Sequence, residues 1–160
     1  MKGYLANGLF SLGDRLTNQL LAARLRYVIR GIDLYVPQEN DAINDKQTYA
    51  DSITIAKADT EALLSSDFLV AVIDGVEIDS GTAAEIGIFS QTGKPIYGLF
   101  TDVRQQGRDN MQKIDALVED GTENQFVYRN LFVVGLIKQT TGGVFSDIEE
   151  LVQAIKENAK

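Results

Sequence analysis

Phe68-Leu69-Val70-Ala71-Val72-Ile73, followed at once by Asp74-Gly75, is the stretch on which the fold turns. An unbroken apolar run this short, closed by a turn dipeptide, reads as a strand covered on both faces. Such a strand belongs at the centre of a sheet.

Working upstream, Ile32 to Val36 reads as a second strand that stops at Pro37, and Gln38 to Asp45 as a loop. Lys46 to Ser65 predicts a helix with Ile53, Ala56, Thr60, Leu63 and Leu64 near one face. Lys2 to Ala6 is a further strand, after which Leu12, Leu16, Leu20, Ala23 and Tyr27 repeat as one helix face does.

Downstream, Ala83 to Gln91 predicts a short helix, Gly93-Lys94 a turn and Pro95 to Phe100 a strand. Thr101 to Gln125 is polar and only partly periodic, so no element is placed there. Tyr128 to Lys138 is apolar enough for a helix or a strand, with helix preferred. Ser146 and Glu149 have capping-box spacing and open a final helix reaching about Asn158. The alternation predicts an α/β fold of the flavodoxin-like or Rossmann-like kind, doubly wound, with about five mainly parallel strands and helices on both faces. With no repeat or linker, residues 1–160 read as one domain.

The chain contains no cysteine and no histidine, which removes disulfides, thiol nucleophiles, imidazole bases and the commonest zinc ligands. Acid and base work falls to carboxylates, Tyr, Lys or water. A formal charge of −8 repels polyanions, so nucleic acid is not an expected partner. Neither a membrane-spanning run nor an export signal is legible, and the expected address is cytoplasmic, with no membrane partner.

In an open α/β sheet, ligands bind beyond the carboxyl ends of the strands, which directs attention to the loop after Ile73. It reads Asp74-Gly75-Val76-Glu77-Ile78-Asp79-Ser80-Gly81-Thr82-Ala83-Ala84-Glu85 and leads into a helix. A helix N-terminus favours negative charge, so Glu85 is expected to stay ionised, as suits a nucleophile. The same spacing has an equally plain structural reading, in which Thr82 and Glu85 form a capping box. Asp59, beside Ala56 and Leu63 on a helix face, is a carboxylate at the edge of an apolar stripe. Tyr4 and Phe10, near the end of the first strand, are core aromatics or platforms for a base. Gly93-Lys94 is followed by Pro95 and makes no P-loop, and no G-x-G-x-x-G dinucleotide fingerprint is present.

Taken together, Tyr4 in Gly3-Tyr4-Leu5-Ala6, the segment Tyr35-Val36-Pro37, Asp59, Asp79 six residues before Glu85, and Asn130 in Tyr128-Arg129-Asn130-Leu131-Phe132 resemble the nucleoside 2-deoxyribosyltransferase family. The resemblance implies that Glu85 attacks a deoxyribose, that Asp59 and Asp79 hold the base and help protonate it, and that Tyr4 orients Glu85. It implies further that Asn130 enters a neighbouring subunit's site to bind sugar, making the protein a homo-oligomer. Phe10, Asp74 and Gly81 complete the expected substrate-binding set. The partners are then deoxyribonucleosides and free nucleobases, with no metal or organic cofactor required. Two alternatives stand beside this: an N-glycosidase of 2′-deoxynucleoside 5′-monophosphates, and a nucleotide-sensing module without catalysis. The chain departs from shorter bacterial members in its final helix, which places Lys160 away from the site, and in the long Thr101 to Gln125 stretch with Asp102, Arg104 and Arg108.

Overall fold

The computed structural model describes residues 1–44 and 49–158. Along them run β1 (Lys2–Ala6), α1 (Leu12–Val28), β2 (Asp33–Tyr35), a 3-10 turn (Pro37–Glu39), α2 (Asp41–Asn44), α3 (Ser52–Ser65), β3 (Phe68–Val72), α4 (Ser80–Ser90) and β4 (Ile96–Leu99). There follow α5 (Met111–Glu119), α6 (Leu131–Lys138), β5 (Gly143–Phe145) and α7 (Ile148–Asn158), with further 3-10 turns at Val103–Gln105 and Gly121–Glu123.

Every residue of β3 is buried, and β3 is the middle strand of a sheet ordered β2-β1-β3-β4-β5 in which all pairs are parallel. This is the flavodoxin-like doubly wound order, with its topological switch point between β1 and β3. Alternation along the strands divides the core into two layers. Leu5, Val70, Val72 and Leu99 face a layer with Leu21 and Leu25 of α1 and Leu151, Val152 and Ile155 of α7. Tyr4, Ala6, Leu69 and Ala71 face the opposite layer, with Leu63 of α3, Ile86 and Phe89 of α4, and Val133 and Ile137 of α6. Among the described residues, no helix is long and apolar enough to cross a membrane.

Several local expectations change. The stripe Leu12, Leu16, Leu20 and Tyr27 faces solvent, whereas α1 buries Asn18, Leu21, Ala22 and Leu25. Two apolar stripes share this helix, and periodicity alone cannot say which one the sheet covers. Lys46, the expected start of the second helix, lies outside the described residues; α3 begins behind Asp51, whose carboxylate accepts the Thr54 N–H at 2.8 Å. On α3 only Leu63 is fully buried, and Ile53 is exposed.

The strand at Gly143–Phe145 and the helix at Met111–Glu119 had no sequence-based assignment. The first is a short edge strand preceded by Gly142, where a Cβ would lie 2.0 Å from the Ile96 carbonyl oxygen, so only glycine permits the approach to β4. The second opens on Asn110, whose side chain accepts the Gln112 N–H, and buries no residue fully. Helix α6 forms as preferred, but begins at Leu131. The last helix is capped by Asp147, which accepts the N–H groups of Glu149 and Glu150 at 2.8 and 3.1 Å, and not by Ser146. Glu149 is instead paired with Arg24 of α1.

Candidate active site

The parallel register sets Tyr4 of β1 directly opposite Tyr35 of β2. Side chains at paired positions share a face, and here the two rings stack with centroids 5.2 Å apart. Both hydroxyls reach the helices above. Tyr4 donates to Glu85 Oε1 on α4, and Tyr35 donates to Asp59 Oδ1 on α3 at 2.9 Å. The sheet thus holds two carboxylates through two tyrosines, beside the switch point.

Helix α4 begins at Ser80, three residues earlier than expected, because Asp79 is its cap. Asp79 Oδ1 accepts the Thr82 N–H at 2.9 Å and lies 3.3 Å from the Thr82 hydroxyl. That overturns the capping-box reading of Thr82 and Glu85, since the cap is already supplied and Glu85 stands in the second turn facing Tyr4. The expected ionisation of Glu85 changes with it. Burial pushes its carboxyl up to about 7, the Tyr4 hydrogen bond pulls the other way, and the charges of Asp59 and Asp79 add to the rise. A helix N-terminus acts within its first turn, and Glu85 lies beyond it.

Burial and the adjacent Glu85 charge raise the Tyr4 hydroxyl, which therefore remains a proton donor at any ordinary pH. Tyr35 is pushed up to about 12, mainly by burial. Asp59 is likewise raised by burial and held down by the Tyr35 bond. Two carboxylates with elevated proton affinity are thus close enough to influence one another.

Other expected site residues sit further out. Phe10 is 81% exposed and lines a cavity of about 220 Å³ with Leu9, Arg15, Gln38 and Asn44. Its loop is tied down by Asn18, buried on α1, which accepts from Asn7 and donates to the Gly8 carbonyl and Gln38 at 3.0 Å each. Asn18 was not singled out from sequence, because the stripe expected to face the core was Leu12, Leu16 and Leu20 and not the one that carries Asn18. Gly81 lies in the first turn of α4, where a Cβ would stand 3.1 Å from Asp79 Oδ1. Asp74 spends both oxygens on Thr101, accepting its N–H at 2.7 Å and its hydroxyl at 2.6 Å, and so joins the ends of β3 and β4.

Asn130 caps α6, accepting the N–H groups of Phe132 and Val133. It lines a cavity of about 510 Å³ with Val76, Ile78, Ala83, Arg129 and Val133, and Glu85, Asp59 and Tyr4 are not among that cavity's lining residues. The neighbouring Arg129 escaped attention in the sequence. Its side chain is only 6% exposed, its guanidinium lies 4.4 Å from the Phe100 ring centroid, and it donates to the Gly75 carbonyl at 2.7 Å.

Fold and geometry define a doubly wound α/β protein whose site is built from tyrosine-held carboxylates. A family model described as nucleoside 2-deoxyribosyltransferase matches residues 4–132, and the chain belongs to that family. Among solved structures, a conserved protein from Enterococcus faecalis V583 is 53% identical, with TM-score 0.92, covering 99% of this chain and 98% of that one. A 2-deoxyribosyltransferase from Bacillus psychrosaccharolyticus is 20% identical, with TM-score 0.67 and coverage of 95% and 90%. A 2-deoxyribosyltransferase from Leishmania mexicana is 19% identical, with TM-score 0.64 and coverage of 99% of both chains. At those lower identities the likeness is one of fold. A search of curated proteins found no match.

Proposed function

We propose that the protein transfers 2-deoxyribose between nucleobases through a covalent deoxyribosyl-Glu85 intermediate. The observation that carries this reading is the Tyr4–Glu85 contact: one carboxylate oxygen is held by a donor that stays protonated, and the other has no hydrogen-bond partner among the described residues. Family membership supplies the substrate class.

In the first half-reaction, Glu85 Oε2 attacks C1′ of a 2′-deoxyribonucleoside through an oxocarbenium-like transition state. The bond from C1′ to the base nitrogen breaks with its electron pair leaving on the base, which takes a proton from the Asp59 carboxyl. Asp79 braces the base side of the site from the start of α4. A second base then attacks C1′ from the vacated face, giving its N–H proton to the Asp59 carboxylate as the bond from C1′ to Glu85 Oε2 breaks with its pair on Glu85. Asp59 is thus restored, and two inversions leave the configuration unchanged, as in retaining glycosidases. Phe10 flanks the base, Gly81 allows close approach over the first turn of α4, and Asp74 shapes the pocket through Thr101.

Asn130 completes the sugar site of a neighbouring copy. Its position at the start of α6, beside the exposed Tyr128, Leu131 and Phe132, favours a homo-oligomer with shared sites. A cytoplasmic address accords with this metabolism of free nucleosides.

The geometry at α1 favours a neutral donor over a 5′-monophosphate. Phosphate usually docks at the helix N-terminus after a first strand of this kind. Here Asp14 already occupies that place, with Oδ2 accepting from the Ser11 N–H and hydroxyl at 3.2 and 2.6 Å.

Incubation with a deoxynucleoside and a second free base tests the proposal: base exchange supports transfer, and base release indifferent to the acceptor shows hydrolysis. Mass spectrometry should find a deoxyribosyl increment on the wild type that disappears in Glu85→Ala. An unmodified wild type during turnover overturns the covalent route.

A further inference from the structure

Asp59 lies at the end of a chain of hydrogen bonds whose direction is fixed by the backbone. The Ala42 N–H donates to Asn40 Oδ1 at 3.2 Å, which orients that amide. Asn40 Nδ2 is therefore turned to Tyr35 and donates to its hydroxyl oxygen at 2.8 Å. The Tyr35 hydroxyl has one proton, and its acceptor among the described residues is Asp59 Oδ1, at 2.9 Å. Stacking on Tyr4 restrains the ring that carries this hydroxyl.

We infer that Tyr35 and Asn40 are positioning residues that direct proton delivery to the departing base, by reserving Asp59 Oδ1 as an acceptor so that the transferable proton of Asp59 resides on Oδ2. This rests on the role proposed for Asp59 above. In the step itself, the bond from C1′ to the base nitrogen breaks with its pair on the base, the Oδ2–H proton moves to a base nitrogen, and Asp59 becomes a carboxylate. Tyr35 stabilises that carboxylate through the bond it already makes and exchanges no proton. The chain spans β2, the turn after it and α3, so three segments of the fold converge on one oxygen atom.

The chemistry supplies a discriminating substrate pair. Deoxyinosine must gain a proton as its base leaves, whereas 7-methyl-2′-deoxyguanosine carries a positive charge before reaction, and its base departs uncharged without one. Tyr35→Phe keeps the ring and its stacking but removes the donor. Single-turnover formation of the Glu85 adduct should fall about 10- to 100-fold with deoxyinosine and hold its wild-type rate with the methylated donor, as expected when an acid is misdirected and the nucleophile is intact. Asn40→Ala should give a smaller change with the same donor dependence. Equal slowing of both donors in both variants would mark Tyr35 as scaffolding and overturn the inference, as would undiminished rates with deoxyinosine. If the wild type forms no adduct with either donor, the function proposed for Glu85 fails, and the role assigned to Tyr35 goes with it.

Discussion

Tyr4, buried in the sheet, donates its hydroxyl to Glu85, in the second turn of α4, across a sequence separation of 81 residues. A strand residue and a helix residue on either side of the switch point are thereby joined by one hydrogen bond. Tyr4 belongs to β1, next to β3 in the sheet, while Glu85 belongs to the helix that leaves β3. The contact exists only because the sheet reverses its order between those strands.

The first prediction concerns Tyr4→Phe. The tyrosine bond lowers the Glu85 pKa, so removing it should move the acid limb of adduct formation from about 7 to higher pH. At neutral pH the variant should be slower by roughly tenfold or more, with part of the rate regained under alkaline conditions. A pH profile of single-turnover adduct formation checks this, and an unmoved limb would remove Tyr4 from control of Glu85.

Stability should move in the opposite direction from activity. The folded Glu85 pKa of about 7 is raised from 4.5, so the native state binds more protons than the unfolded chain between those values. The associated stability is fully present below pH 4.5 and is lost as pH rises through about 7. Glu85→Gln escapes that loss and should be more stable than wild type at pH 8, by about 1–3 kcal/mol, with little difference at pH 4.5. Urea unfolding at the two pH values measures it, and equal midpoint shifts at both would contradict the linkage.

Arg129 clamps the loop after β3 to Phe100 and to the start of α6. Arg129→Ala should cost on the order of 1–2 kcal/mol, because it removes a nearly buried side chain from the face of Phe100 and opens the space it filled. Arg129→Lys should recover only part of this, since an ammonium cannot stack on Phe100 while donating in the same plane. Thermal midpoints of the two variants give the answer, and wild-type stability in Arg129→Ala would show the clamp to be idle.

Shared sites predict complementation. Asn130→Ser keeps an α6 cap but loses the amide, and Glu85→Ala loses the proposed nucleophile. Each variant alone should be inactive in base exchange. Co-refolded together, a two-site assembly should regain about a quarter of wild-type activity, because half the pairs are mixed and each has one intact site. Continued inactivity of the mixture would place Asn130 outside the neighbouring site.

Much of this arrangement was legible in the chain itself. An unbroken apolar β3, alternating strand and helix patterns and Gly or Pro at the breaks specify a doubly wound sheet, because hydrophobic periodicity and turn chemistry are local properties; the cap residues read from the chain are not the ones the fold uses. The absence of His and Cys and the placement of Glu85 after β3 directed the expectation to a carboxylate. The inward face of α1 was not legible, nor was the three-residue edge strand β5, since both depend on what packs against them.

Tertiary structure alone decided the states of those carboxylates. Thr82 and Glu85 satisfy a capping pattern in sequence, and only Asp79 taking the cap and Tyr4 taking Glu85 assign them otherwise. Proton affinity follows from water excluded and charges gathered by segments far apart in the chain, which is why Glu85 lies near 7 and Tyr35 is committed to Asp59. Local pattern sets which elements form; the switch point of the sheet sets which residues meet.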